Sequence, residues 1–338
     1  MNATEIQLPR FALGAVNLAS PKLGSEVIFA TDDFFADKSR LLKVEEPIFI
    51  PDKYDQHGKW MDGWESKRRR TPGNDHCIVR LGTRGIISGI NINTKFFTGN
   101  HPPQGSLEAT YSDTDPDENT IWEEILAISD LTADSNNFFP ILSELPFNYL
   151  RFNIFPDGGV ARLRVYGAPV GEWKATDPDG LQELSAVVNG GNIVGFNDAH
   201  YGDPWVILAP GRGTNMGDGW ETRRRREPGN DWIVISLGAS GIVKRIEIDT
   251  AHFKGNYPDS CSVQAALIKK TSTKNMLTDE CHWPELMAKQ KLEMDKIHNF
   301  DGNLIKKIGE VSHLRLNIFP DGGVSRFRIF GSLSSNDT

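Results

Sequence analysis

The chain contains two copies of one long sequence, and this duplication is the feature that most limits how it can fold. The fourteen residues 62–75 (DGWESKRRRTPGND) recur at 218–231 (DGWETRRRREPGND) with 11 identical positions. The eight residues 153–160 (NIFPDGGV) recur unchanged at 317–324. The two offsets, 156 and 164 residues, are far longer than the roughly 20–50 residues of a solenoid repeat. They match the length of a domain, so the sequence predicts two tandem copies of one domain.

The extent of the repeated sequence gives the predicted domain boundaries. We place the first domain at 14–168 and the second at 184–333. Residues 169–183 join them and begin with a polar, turn-rich stretch that is typical of a linker. The first copy carries ten more residues between Asp37 and Asp62 than the second copy has at the same place. Insertions of this kind belong in surface loops.

Strand patterns dominate both copies and predict an all-β fold. Residues 77–81 and 86–92, like their counterparts 233–237 and 242–248, are β-branched runs bounded by glycine. Strands do not alternate with helices along the chain, which favours antiparallel pairing. The sequence therefore predicts two similar antiparallel β-sandwich domains in tandem.

Three segments carry more local predictions. Residues 149–155, the turn 156–159 and residues 160–166 are interpreted as a β-hairpin, because the second arm alternates apolar with polar residues. Residues 284–297 have a helical pattern. Their counterpart 123–131 is ambiguous, since short apolar runs do not distinguish helix from strand.

Composition and charge exclude several functional classes. The formal net charge is −8, whereas generic nucleic-acid and anionic-membrane binders are more often basic. No apolar run approaches the roughly 20 residues that span a bilayer, and the N-terminus has no secretory signal pattern. The three cysteines (Cys77, Cys261 and Cys281) have no paired spacing. We expect reduced, mostly buried thiols in a cytoplasmic protein with no nucleic-acid or membrane partner.

The basic run after each DGWE motif has two competing interpretations. Acidic and Pro-Gly motifs flank it, which argues against a nuclear-localisation or nucleic-acid patch. In an extended segment Glu221, Arg223 and Arg225 would share one side. That side could hold a carboxylate ligand, since the planar guanidinium matches a carboxylate. The alternative is a structural ladder of ion pairs, and the sequence does not decide between the two.

Other repeated motifs offer weaker evidence of chemistry. The loop 249–258 (DTAHFKGNYP) differs from its counterpart 93–102, because Asp249 replaces an asparagine and His252 replaces a phenylalanine. If proton transfer occurs in the chain, this loop of the second copy is the better candidate. The PGND motif is a tight turn that needs no function of its own. The aspartates of the two FPDGGV turns, Asp157 and Asp321, are expected to bond nearby backbone N–H groups.

Taken together, these motifs resemble the allantoicase family. The resemblance rests on 218–232 (DGWETRRRREPGNDW), 249–258, 210–213 (PGRG) and the two NIFPDGGV segments, and it extends over about 14–333. It implies two jelly-roll, galactose-binding-like sandwiches, the conversion of allantoate and water to (S)-ureidoglycolate and urea, and a homo-oligomer. The alternatives are a non-catalytic carbohydrate- or protein-binding module and a ureidoglycolate-processing relative, since fold does not determine function.

The chemistry of allantoate, which carries one carboxylate and two ureido groups, suggests the site residues. Arginine can clamp the carboxylate, while Asp, Glu and Asn can bond the ureido groups. The predicted catalytic residues are His252, Glu221, Asp231 and Asp249. The predicted substrate-binding residues are Trp220, Arg223, Arg225, Asn230, Asn256 and Asp321. No metal-ligand spacing is present, so no cofactor is assigned, although a divalent metal such as Mn stays open.

Overall fold

One very long strand organises each half of the chain. The computed structural model describes residues 8–12, 15–173, 179–268 and 283–334. It divides into two units, Met1–Val170 and Gly171–Thr338. The exact domain boundaries given above stay a prediction. Residue 14, residues 174–178 of the joining stretch and Cys281 lie outside the described residues.

The first unit is built from strands and short 3₁₀ turns. Its strands are β1 (Val16–Asn17), β2 (Glu26–Ala30), β3 (Tyr54–Asp55), β4 (Gly58–Lys59), β5 (Trp64–Glu65), β6 (Asp75–Asn93), β7 (Gln104–Thr110), β8 (Glu123–Asp130), β9 (Asn136–Pro140), β10 (Pro146–Phe155), β11 (Gly159–Val160) and β12 (Arg162–Pro169). Its 3₁₀ turns are Arg10–Ala12, Pro21–Leu23 and Lys38–Leu42.

The second unit repeats this order. Its strands are β13 (Gln182–Glu183), β14 (Asn192–Phe196), β15 (Trp220–Glu221), β16 (Asp231–Asp249), β17 (Ser260–Ala266), β18 (Glu285–Lys291), β19 (Ile297–Asp301), β20 (Val311–Phe319), β21 (Gly323–Val324) and β22 (Arg326–Leu333). Its 3₁₀ turns are Val187–Asn189, Pro204–Leu208, Met216–Asp218 and Gly302–Leu304.

The long strand β6 takes part in two packed layers. Its first half pairs with β2 and β10, and β10 continues the layer to β7 and β8. Its second half pairs with β12 and β9. Side chains of both layers, such as Val79 and Leu163, are fully buried in one apolar core. All these pairings are antiparallel, and β16 makes the equivalent pairings in the second unit. The predicted all-β fold with two tandem antiparallel sandwiches is confirmed.

A close backbone approach occurs in the middle of each long strand. A side chain at Gly82 would collide with the backbone carbonyl of Leu23, and one at Gly238 would collide with that of Asn189. Only glycine lets two backbones come so near. The pairing register of both long strands shifts close to these glycines, which separates the half in one layer from the half in the other.

Two local predictions are wrong. Residues 284–297 were expected to be helical, but β18 covers Glu285–Lys291 and pairs with β17. The buried residues of this edge strand, Leu286 and Met287, are adjacent in sequence, and tertiary pairing overrides helix propensity. The ambiguous counterpart is also a strand, β8. No α-helix occurs among the described residues, and none of their helical segments could span a membrane.

The predicted hairpin at 149–166 is also wrong, although its turn exists. β10 and β12 do not pair with each other, because both pair with β6 in different layers. The FPDGGV segment therefore carries the chain from one layer to the other. The alternation of apolar and polar residues in β12 does not separate a buried face from an exposed one. Leu163 faces the core, and Arg162 is also only 1% exposed because residues 40–48 cover it.

The cysteine prediction is confirmed where it can be checked. Cys77 and Cys261 are free and buried. Burial raises the pKa of the Cys261 thiol to about 12, so this thiol is inert as a nucleophile at neutral pH.

Candidate active site

The two repeated motifs lie side by side in each unit. In the second unit Trp220 pairs with Val324 and Glu221 with Gly323, which joins DGWE to FPDGGV. The first unit has the same pairing between β5 and β11. The arginine run leaves β15 at this junction, so the pairing determines where the arginines lie.

A cavity of about 330 Å³ lies along the arginine run of the second unit. We call it the arginine cavity. It is lined by Asn197, Asp198, Arg223, Arg224, Arg225, Arg226, Glu227 and Asp231. Three of the predicted site residues, Arg223, Arg225 and Asp231, are therefore brought together here. Four guanidinium groups in one depression suit an anionic ligand.

The arginines alternate between paired and unpaired. Arg225 Nη2 lies 2.7 Å from Asp231 Oδ1, and Arg223 Nε lies 3.2 Å from Asp198 Oδ1. Within the described part of the chain, Arg224 and Arg226 have no hydrogen-bond or ion-pair partner. Arg223 and Arg225, which lie on the side considered for a carboxylate ligand, are therefore ion-paired as the structural interpretation expects. The ligand interpretation stays a prediction.

Asp231 is the most constrained carboxylate of the cavity. It is only 2% exposed. Its Oδ1 accepts from Arg225 and from Asn197 Nδ2, the latter at 2.9 Å. No described residue donates to Oδ2, which leaves this atom for a substrate proton or a water molecule. The hydrogen bond to Asp231 also raises the pKa of Arg225 above its ordinary value, so the guanidinium stays charged.

Backbone contacts hold the arginine run in place. Asp321 Oδ2 accepts from the Arg225 backbone N–H at 2.8 Å, and Asp157 accepts from Arg69 in the same way at 2.7 Å. These aspartates bond backbone N–H groups as predicted, but the groups belong to the arginine run. Asn230 donates to Asn317 and to the Asp231 carbonyl.

Trp220 and Glu221 support the cavity from the side. Trp220 is fully buried, and its Nε1 donates to the Asp198 carbonyl at 2.8 Å. Trp220 therefore positions a cavity residue. The Glu221 carboxylate accepts from Asn256 Nδ2, as Glu65 accepts from Asn100 at 2.7 Å in the first unit. This pair joins two predicted site residues and is common to both units.

The structure places His252 and Asp249 in different contacts. Nε2 of His252 donates to the Gly213 carbonyl at 2.8 Å. Asp249 is fully buried, and its Oδ2 lies 3.4 Å from Arg212 Nη1. Arg212 also pairs with Glu247. The PGRG motif that supplies Arg212 and Gly213 thus covers this loop.

Comparison with known proteins agrees with this architecture. The family model described as "Allantoicase repeat" matches residues 16–170 and again 182–334. The chain belongs to the allantoicase family. A "Probable allantoicase" of Photobacterium profundum is 53% identical over 317 residues, 94% of this chain and 96% of the relative. A "Probable allantoicase 1" of Burkholderia mallei is 50% identical over 326 residues, 96% of both chains.

Solved structures show the same allantoicase fold. The crystal structure of the allantoicase from Saccharomyces cerevisiae matches with a TM-score of 0.78 and 35% identity. The match covers 94% of this chain and 93% of the yeast chain. Another solved allantoicase matches with a TM-score of 0.79 and 34% identity.

Four residues that line the arginine cavity were not singled out from the sequence: Asn197, Arg224, Arg226 and Glu227. Arg224 and Arg226 were not singled out, although their counterparts Arg68 and Arg70 are identical. The repeat revealed the arginine run, but which arginines are paired depends on aspartates distant in sequence, such as Asp198.

The described residues offer no preformed metal centre. No group of three or more His, Cys, Asp or Glu side chains among them is arranged to hold a metal ion. The aspartates of the two FPDGGV turns do not fit such a role, because each accepts a backbone N–H from the arginine run. No step is therefore assigned to a metal.

His252 offers a direct test of its predicted role in proton transfer. Its backbone has φ 72°, and Phe96 has φ 69° at the same place in the first unit. Because phenylalanine adopts this conformation there, the substitution His252→Phe should fold. We expect it to lower kcat less than tenfold, since the imidazole is bonded to Gly213. A fall of roughly 10²–10⁴ would instead establish His252 as the general acid or base.

A second prediction concerns the pH dependence of stability. Burial raises the pKa of Glu65, although the hydrogen bond from Asn100 opposes the shift. A raised carboxyl pKa stabilises the fold while the group is protonated, and this contribution is lost as pH rises through the folded-state pKa. Glu65→Gln should therefore raise Tm by about 2–4 °C at pH 7, a shift typical of about 1 kcal/mol in a domain of this size.

Thermal melts at several pH values measure this effect. The difference between Glu65→Gln and the native chain should shrink as pH falls towards about 4, where an ordinary glutamate is protonated. Glu221→Gln at the matching position of the second unit is the control, and its effect should be smaller because Glu221 is less buried. A Tm difference that does not change with pH would contradict the assignment.

Proposed function

We propose that this chain hydrolyses allantoate to (S)-ureidoglycolate and urea, with the arginine cavity of the second unit as its active site. The observation that carries the activity is the match of both halves to the allantoicase repeat, together with relatives about 50% identical over nearly the whole chain. The alternative of a non-catalytic binding module is not favoured by these relatives.

Arg224 and Arg226 are the residues to hold the substrate carboxylate. They line the cavity beside Asp231, and their guanidinium groups have no partner among the described residues. A guanidinium can bind a carboxylate through two parallel charge-assisted hydrogen bonds. Arg223 and Arg225, which the sequence suggested for this role, hold Asp198 and Asp231 in position.

The ureido groups of allantoate complement the acidic side of the cavity. Each ureido group offers several N–H donors and one carbonyl acceptor. Asp198, Asp231 and Asn197 supply oxygen acceptors, and Asn197 also has an amide donor. Binding the carboxylate at Arg224 and Arg226 would direct one ureido group towards Asp231.

Asp231 is the proposed proton-transfer group. The reaction breaks one bond between the central carbon and a ureido nitrogen and forms a bond to a water oxygen. The departing nitrogen takes a proton to become urea, and water supplies the hydroxyl group and that proton. Asp231 Oδ2 can accept the proton while Arg225 and Asn197 hold Oδ1 fixed. The catalytic roles predicted for Glu221 and Asp249 stay predictions, and the kinetics of His252→Phe decide the role predicted for His252.

The first experiment measures urea released from allantoate by the purified chain, with and without EDTA pretreatment. We expect urea and ureidoglycolate in equal amounts. No urea in either arm, even with added Mn²⁺, would contradict the proposed activity. Urea from ureidoglycolate but not from allantoate would indicate a ureidoglycolate-processing relative. The EDTA arm decides whether a divalent metal is needed.

The assembly and location of the chain are also proposals. The family resemblance implies a homo-oligomer, and the sequence implies a cytoplasmic protein without nucleic-acid or membrane partners. Light scattering of the purified chain measures its oligomeric state, and a monomeric mass would contradict the first of these proposals.

A further inference from the structure

A second polar cavity lies in the first unit, away from the repeated motifs. Its volume is about 410 Å³, and it opens on the face of the layer that contains β6, β7 and β10. The polar residues that line it are Asn74, His76, Ser106, Glu108, Glu124, Arg151 and Asn153. We call it the His76 cavity. None of these residues was assigned a function from the sequence.

Hydrogen bonds fix the floor of the cavity. Arg151 Nε and Nη2 donate to the two oxygens of Glu108, both at 2.6 Å. Asn153 Nδ2 donates to Glu108 at 2.9 Å and to Ser106 at 3.2 Å. The Arg151 guanidinium also lies over the Trp122 ring. The polar groups are therefore held rigidly before any ligand arrives, which reduces the entropic cost of binding.

Three polar groups at the cavity have no hydrogen-bond partner among the described residues, and the Glu124 carboxylate is one of them. Nη1 of Arg151 donates to no described residue, and neither ring nitrogen of His76 has a hydrogen-bond partner in the described part of the chain. Burial and the nearby Arg151 lower the pKa of His76, so its imidazole is neutral at pH 7. A neutral imidazole offers one acceptor and one donor.

The charges indicate which ligands fit. The hydrogen bond from Arg151 lowers the pKa of Glu108, so Glu108 is a carboxylate. Its negative charge offsets the positive charge of the Arg151 guanidinium. Glu124 also lines the cavity, so the site has no excess of basic side chains and no strong attraction for an isolated carboxylate. It matches a neutral planar group with several N–H donors and one carbonyl, which is the pattern of a ureido group. Glu108 and His76 would accept its N–H groups, and Arg151 Nη1 would donate to its carbonyl.

The second unit lacks this chemistry on the same frame. Trp232 stands opposite Asn317 in the register where His76 stands opposite Asn153. The Trp232 ring lies 4.5 Å from the Arg315 guanidinium carbon. Gln264 occupies the register position of Glu108. The same fold therefore accommodates His76 with Glu108 in the first unit and Trp232 with Gln264 in the second. Only the first of these two pairs is titratable.

We propose that the His76 cavity binds the ureido group of a small ureido compound, as a second ligand site in the first unit. The choice of ureido compounds as the ligand class rests on the proposed function, since substrate and product both carry this group. The contacts that recognise it come from three strands of one rigid layer.

The test is an NMR titration of the histidine imidazole signals of the full chain. The ligand is N-carbamoylglycine. It carries a single ureido group, whereas allantoate carries two and loses one of them as urea. N-acetylglycine is the matched control ligand, because it has a methyl group where the ureido group has NH₂. His76→Trp assigns the His76 signal by removing it, and this variant carries the residue of the second unit.

We expect N-carbamoylglycine to shift the His76 signal saturably and N-acetylglycine to bind at least tenfold more weakly. Glu108→Gln introduces the residue found in the second unit. It should lower the affinity for N-carbamoylglycine at least tenfold, the loss typical of one charged hydrogen bond. The proposal is overturned if the His76 signal does not move, if both ligands move it equally, or if Glu108→Gln binds as tightly as the native chain.

This readout is independent of turnover. If the chain releases no urea from allantoate but shows the His76 shift, the proposed activity is contradicted and the proposed ligand site is supported. A chain that hydrolyses allantoate without the shift would keep the activity and lose the site. Circular dichroism of the His76→Trp and Glu108→Gln variants confirms that a lost signal is not lost folding.

Discussion

Replacing Asp62 with alanine should destabilise the first unit by about 3–5 kcal/mol, since it leaves a buried cation without its partner. Arg162 is 1% exposed and Asp62 is 5% exposed. Arg162 Nη2 lies 2.6 Å from Asp62 Oδ2. Burial raises the pKa of Asp62, but hydrogen bonds from Lys43 and Arg162 outweigh it and hold the pKa below its ordinary value. Guanidinium chloride denaturation, with hydrogen exchange to localise the loss, measures the change.

A double variant separates pairing from packing. Asp62→Leu with Arg162→Met replaces both charges by apolar groups, which often costs little or even stabilises. We expect it to recover most of the stability lost in Asp62→Ala. Asp218→Ala tests the equivalent pair with Arg326 in the second unit, where the two atoms are 3.2 Å apart. A loss of stability below about 1 kcal/mol for Asp62→Ala would contradict the prediction. It would show that hydrogen bonds to the surrounding backbone carbonyls are enough to stabilise the buried Arg162 guanidinium.

The pair also predicts how stability depends on pH. Because the folded-state pKa of Asp62 is lowered, its contribution is present above the unfolded pKa and is lost as pH falls through the folded value. The difference in the free energy of unfolding between the native chain and Asp62→Ala should therefore become smaller below about pH 4. A difference that persists unchanged to pH 2 would contradict this assignment.

Replacing both Arg224 and Arg226 with alanine should lower kcat/KM for allantoate by roughly 10²–10⁴. Each charge-assisted hydrogen bond contributes about 1.5–3 kcal/mol, and every 1.4 kcal/mol is tenfold. Both side chains line the arginine cavity without a described partner, so their loss leaves no protein carboxylate uncompensated. Steady-state kinetics of urea release measures the effect, and lysine at both positions should recover only part of it.

The first unit supplies the matched control for this experiment. Arg68 and Arg70 occupy the equivalent positions of its arginine run. Their replacement with alanine should change kcat/KM by less than about twofold if the second unit carries the activity. Equal twofold losses from both pairs would mean that each unit has a working site, and would contradict the assignment of the activity to the second unit alone.

Much of the fold follows from local patterns that a single sequence shows. The β-branched runs bounded by glycine are strands, and the repeat implies that both units share one architecture. The amphipathic pattern of 284–297 was misleading, because pairing with β17 decides the conformation of Glu285–Lys291 and local propensity does not. The hairpin prediction failed since β6 pairs with both arms and separates them.

The proposed active site was only partly visible in the sequence. The repeat directed attention to the arginine run, and Arg225 and Asp231 are six positions apart. Asp198 and Asn197 reach the cavity from a distant loop, so their contacts could not be read from spacing. Those contacts decide that Arg224 and Arg226, and not their neighbours, are available for a ligand.

The sequence by itself determined that the chain is a duplicated all-β protein of the allantoicase family, because local strand patterns and long repeated motifs need no knowledge of distant contacts. Only the tertiary structure decided which charges are neutralised internally. His76, Glu108 and Arg151 come from three separate strands that meet through antiparallel pairing. Whether a buried or half-buried charge is a structural partner or a ligand contact depends on such neighbours, and pairing across a sheet brings together residues that the sequence keeps far apart.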